Sequence, residues 1–176
     1  MRRDKVSGFI ICALVLVAVG ARGYAADTTV KASAPITGEG RFYKVTDNHL
    51  LFAGYFQGTV EVEGRGDLGG AGLVCPGLIE VNRPDRTQQG EGRCILATPS
   101  GDFLYARWTC TGKPGEGCAG PLTVTGGTGK FGKASGQSQF MIRSTVTEVV
   151  TTVPERDVTA TFTGQALWEA LKYVTP

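Results

Sequence analysis

Residues 158–168 alternate with period two: Val158, Ala160, Phe162, Gly164, Ala166 and Trp168 share one face, and Thr159, Thr161, Thr163 and Gln165 share the other. Strict alternation of this kind marks a strand with one buried face. The test repeats over Phe52, Gly54, Phe56, Gly58, Val60 and Val62, over Leu104, Ala106 and Trp108, and over Phe140, Ile142 and Val146. Further strand candidates are Ala71–Val81, Arg93–Ala97 and Cys118–Thr125. Helical periodicity is confined to a single turn near Thr128–Lys133 and a weak tendency in Trp168–Tyr173. The chain therefore reads as all-β.

Turn chemistry sets the architecture. Pro99-Ser100-Gly101-Asp102 has the residue types of a tight reversal, and the 26 glycines are spread between alternating segments rather than gathered in one tract. Seven to nine similar strands joined by turn-rich connections suit an antiparallel sheet that closes on itself, because closure removes exposed edges. We expect an up-and-down β-barrel of about eight strands, with a two-sheet β-sandwich as the runner-up. Glycines alternating with aromatics, as in Phe52-x-Gly54-x-Phe56-x-Gly58, fit strong local curvature.

The N-terminus reads as an address. Arg2, Arg3 and Lys5 precede an apolar run from Phe9 to Val19, which small residues follow to Ala25-Ala26. This is the order of a secretory signal peptide. The apolar run falls short of the roughly 20 residues a membrane-spanning helix needs, so no permanent membrane span is expected in the mature protein. Residues after Arg2-Arg3 do not continue a twin-arginine motif, and Cys12 lies inside the apolar run rather than at its end. The reading is Sec-type export to a periplasmic or secreted location, with 1–25 as signal peptide and 26–176 as a single β-barrel domain.

Cleavage removes Arg2, Arg3, Lys5, Arg22 and Asp4, leaving 14 basic and 15 acidic residues. A near-neutral mature chain has no basic stripe for phosphate backbones, so no nucleic-acid partner is expected. That charge does not oppose a homo-oligomer. Four cysteines remain, an even number in an oxidising compartment. Cys110 and Cys118 flank Thr111–Gly117, and Cys75 and Cys94 bracket the loop around Asn82–Gly90. The expected disulfides are Cys75–Cys94 and Cys110–Cys118. Neither pair has C-x-x-C spacing and the single histidine, His49, is distant in sequence, so no metal and no cofactor are expected.

No constellation fixes a reaction. Gly126–Phe131 lacks phosphate-loop spacing and precedes a strand rather than a helix. His49 reads as an exposed turn residue, Glu61 and Glu63 as solvating charge on an outer face, and Ser100, Ser135 and Ser138 lie outside any nucleophile elbow. The inner-face aromatics Phe52, Phe56, Trp108, Phe140, Phe162 and Trp168 are the candidate ligand-binding set. They either pack as core or line a cavity for an apolar molecule.

Val124-Thr125-Gly126-Gly127-Thr128-Gly129-Lys130-Phe131, followed by Ala134-Ser135-Gly136, resembles the glycine corner of allene oxide cyclase and dirigent-protein barrels. In those families a strand ends in Val-x-Gly-Gly-Thr/Ser-Gly-x-Phe and continues through a small residue and Gly into the next strand. The chain looks like an exported, disulfide-bearing bacterial relative. The resemblance implies the barrel, with Phe131 held inward as a plug, and transfers no catalytic residue. Two functions follow as expectations: a barrel that holds a small hydrophobic molecule or a partner without catalysis, or a cyclase or isomerase that confines a reactive intermediate. A structural surface protein with a solid core is a third reading.

Overall fold

The computed structural model describes residues 26–64, 66–153 and 157–175. The expected signal peptide, residues 1–25, lies outside them. The elements in chain order are β1 (Ala26–Thr46), β2 (His49–Thr59), β3 (Glu61–Val62), β4 (Gly72–Asn82), β5 (Thr87–Ala97), β6 (Phe103–Lys113), β7 (Gly117–Gly127), a 3₁₀ turn (Gly129–Phe131), β8 (Gly136–Val153) and β9 (Asp157–Thr175).

Each long strand pairs antiparallel with the next, and β9 returns to β1 with Phe42 opposite Val158 and Ile36 opposite Gly164. Eight long strands thus close an up-and-down barrel, and β3 is a two-residue patch on β1. The sandwich alternative is excluded by that closure. An even strand number is what lets the first and last strands meet antiparallel.

Trp168–Tyr173, read as weakly helical, is extended and belongs to β9. Leu171 and Tyr173 break the parity of Trp168 because the β1–β9 register slips between Val30 and Ala32, and that irregularity imitates a helical spacing of buried residues. Near the same place Ser138, buried on β8, accepts a hydrogen bond from the Lys172 backbone N–H at 2.7 Å. A strand also occupies 87–92, although the sequence marks a loop around Asn82–Gly90. Its inward positions, Gln88, Gly90 and Gly92, carry no apolar signal.

Two turns bear out their sequences. Thr98 closes the β5–β6 turn, accepting from the Asp102 N–H at 3.1 Å and donating to the Asp102 carbonyl at 2.9 Å, with Gly101 at φ 88°. At the glycine corner, Gly126 and Gly129 take φ 132° and 51°, a region that favours glycine, and the reversal places Phe131 fully inside.

Candidate functional site

All six candidate aromatics are buried in the barrel interior. Phe52 of β2 and Phe162 of β9 meet edge to face at 5.1 Å, Phe56 joins them at 6.3 and 6.1 Å, and the half-buried Phe42 of β1 packs on Phe52 at 5.1 Å. Trp108 of β6 and Phe140 of β8 form a second edge-to-face pair at 6.1 Å. Trp168 of β9 is buried beside this second group.

Glycines make room for the rings. Gly40, Gly54, Gly77 and Gly92 are register neighbours across β1, β2, β4 and β5, and Trp108 follows Gly92 on β6. The Phe52 ring lies against Gly40 and Gly54, and the Trp108 indole lies against Gly77, Gly90 and Gly92. A Cβ on Gly92 would stand 2.7 Å from the indole. The pattern that read as curvature is therefore a trough in the inner wall, filled by aromatic side chains.

Between the rings lies a cavity of about 30 Å³, lined by Phe56, Trp108, Phe140, Trp168 and the disulfide cysteines Cys75, Cys94 and Cys110 among other apolar groups. That is water-sized. Cys75–Cys94 links β4 to β5 and Cys110–Cys118 links β6 to β7, both from the inward face. The Trp108 and Trp168 indole N–H groups have no hydrogen-bond partner among the described residues.

The two ends differ. At the end carrying the glycine corner, Val60, Leu68, Ala71, Phe131 and Tyr173 are buried, with the Phe131 and Tyr173 rings 5.8 Å apart. Lys130 braces this plug, reaching Asp67 at 3.0 Å and lying 5.2 Å from the Phe131 ring centroid. Burial first, and the Asp67 charge second, push the Tyr173 hydroxyl pKa above its ordinary value. This end is sealed.

At the opposite end β1, β8 and β9 run on past the shorter strands. β7 makes its last pairing with β8 at Ile142, whereas β8 continues to Val153 against β9 alone. The inward face of this overhang presents Phe42, Val146, Val149 and Val158, and Leu50, Val81 and Ile142 stand at the rim. Val146 and Val149 are 47% and 59% exposed. Gln88, also inward, donates to the Gly117 carbonyl at 2.9 Å and so ties β5 to the β6–β7 turn. The open end is a mainly apolar cup walled on one side by the overhang, with Ser144 between Ile142 and Val146 and Lys44 opposite Leu50 among its inward positions.

The outer wall holds the polar candidates. His49 opens β2 rather than sitting free in a turn, and its Nε2 lies 3.6 Å from Glu80, which accepts from Gln89 at 2.9 Å. A trough of about 480 Å³ beside them is lined by Glu80, Gln89, Glu91, Thr109 and Pro121 among others. Glu61 and Glu63 are exposed, and Glu63 is 3.0 Å from Lys31, whose pKa it raises by hydrogen bond and charge. Among the described residues no three His, Cys, Asp or Glu side chains gather as a metal site. The cup was not legible as such: its valines were visible in the sequence, but the overhang that exposes them is a matter of strand length.

No protein-family model matches the chain, and no curated protein matches it. Among solved structures it is similar to a pterocarpan synthase dirigent protein, at 11% identity over 84% of this chain and 94% of that one, with a TM-score of 0.37. The barrel stands on its own strand register.

Proposed function

We propose that the mature chain is an exported, non-catalytic barrel of the allene oxide cyclase and dirigent type that holds a small hydrophobic molecule in the apolar cup at its open end. The observation that carries this reading is the asymmetry of the barrel: one end is plugged, the interior is filled, and the other end leaves valines exposed over a floor of phenylalanines. Export is supported by the signal-like N-terminus and by two disulfides, which persist in oxidising compartments. The six interior aromatics then act as the floor and back wall of the site rather than as its lining. Confinement of a reactive intermediate would need interior volume that the rings now occupy.

An environment-sensitive apolar dye titrated into the mature protein tests the proposal. Fully burying such a side chain contributes about 1.5–3 kcal/mol and Val149 is 59% exposed, so Val149→Glu should weaken dye binding about fivefold or more, while Leu78→Glu on the outer wall leaves it unchanged. Equal binding by both variants would remove the cup as the site.

A further inference from the structure

On the outer wall, β5 and β6 set Arg93 directly opposite Arg107, and both side chains are exposed. Like charges facing each other across an antiparallel pair repel. The carboxylate closest in the ladder is Glu91, two residues from Arg93 and diagonal to Arg107, and among the described residues no ion pair joins it to either. The ladder step toward the sealed end carries Val74, Ile95 and Tyr105, and the next carries Phe103. These four are 38–43% exposed, and the Phe103 and Tyr105 rings lie nearly parallel, 6.4 Å apart. An uncompensated cationic pair thus borders an apolar, aromatic surface.

We propose that this face docks the protein on an anionic lipid surface, with Arg93 and Arg107 on headgroup phosphates and Phe103, Tyr105, Ile95 and Val74 in the interfacial layer. An anion relieves the repulsion between the arginines. A second copy seated about a two-fold axis would add another arginine pair to the same face and worsen it. The four apolar side chains offer about 300 Å² at the usual size of such residues, well below the roughly 800 Å² per partner that a stable folded-protein interface needs. Aromatic rings beside cations are also the chemistry of membrane–water interfaces. The face lies beside the sealed end, so docking leaves the apolar cup free.

Co-sedimentation of the mature, disulfide-intact protein with vesicles tests this, comparing phosphatidylcholine alone with a phosphatidylcholine–phosphatidylglycerol mixture. Binding is expected on the anionic vesicles only, to fall with added salt, and to be about thirtyfold weaker for R93Q/R107Q, from about 1 kcal/mol per arginine near an anionic surface. That variant relieves a repulsion, so its melting temperature should not fall. Phe103→Ser should weaken binding, and Val149→Glu, in the cup, should not change it. Equal binding to both vesicle types, none to either, or an unchanged R93Q/R107Q variant would overturn the proposal. Loss of vesicle binding in Val149→Glu would assign the contact to the cup instead. A dimer that R93Q/R107Q dissociates would assign the face to a second copy.

Discussion

Gly92 has no side chain because Trp108 occupies the space one would fill. The same indole fills that space at Gly77, and the Phe52 ring fills it at Gly54 and Gly40, so these four strand glycines, none at positive φ, are chosen for volume rather than for backbone angle. The consequence is measurable. Gly92→Ala would set a methyl against the indole and the Pro76 carbonyl, and forcing extra atoms into a packed interior typically costs about 1–3 kcal/mol. Gly72→Ala, whose Cβ would meet only the Ala97 carbonyl at 4.0 Å, should change stability by less than about 0.5 kcal/mol. Urea denaturation of both variants, with near-ultraviolet dichroism to report the indole, checks this. Equal stabilities would mean that the trough is slack. The aromatics were legible as inward from alternation, and their fit was not. A glycine in a one-dimensional sequence does not reveal which ring, two strands away, needs its absence of atoms.

At the scale of the element, alternation exposes a strand only where its inward residues contrast with the outward ones. β9 was readable because Ala160 and Phe162 stand between threonines. β1, the longest strand, lacks that contrast: its inward positions include Ala32, Ala34, Gly38 and Gly40, and Pro35 interrupts it. The overhang of β8 was hidden for a different reason, since strand length beyond a neighbour's end is a property of pairing. That overhang leaves β8 bonded on one side only from Arg143 onward, a template for edge-to-edge association. Two bulges and one carboxylate guard it. Of the nine ladder positions from Arg143 to Val153, Glu148 is the central one. A symmetric antiparallel pairing of two copies along the whole edge would therefore set Glu148 against itself, on the outer face. Opposed like charges cost roughly 0.2–1 kcal/mol, so Glu148→Val should strengthen self-association about fivefold or more once the added apolar contact is included. Sedimentation velocity over a concentration series reads this directly. Glu148→Arg alone should gain no self-association but should pair with wild type when mixed, and failure of that mixture to associate would show that the bulges alone protect the edge.

For the whole molecule, what holds the barrel closed is shared between the aromatic filling and two covalent staples, and their shares can be separated. The staples were legible because each pair of cysteines brackets a short reversal. The cup and the arginine pair were not, since both depend on which strands lie side by side. Cys110–Cys118 spans a separation of 8 residues and Cys75–Cys94 one of 19. If each acts by limiting the unfolded chain, loop-closure entropy assigns about 2.5 and about 3.2 kcal/mol respectively. Together these exceed the lower end of the roughly 5–15 kcal/mol by which folded domains are stable at all. The barrel should accordingly survive loss of either bridge and become marginal without both, which ties the fold to an oxidising compartment. Replacing Cys75 and Cys94 by alanine should cost about 0.7 kcal/mol more than replacing Cys110 and Cys118, because both pairs are equally buried and differ mainly in the loop they close. Equilibrium unfolding of the two double variants and of the reduced wild type supplies the comparison. If reduction leaves the midpoint near that of the oxidised protein, the rings in the glycine trough carry the closure by themselves and the compartment argument loses its physical basis.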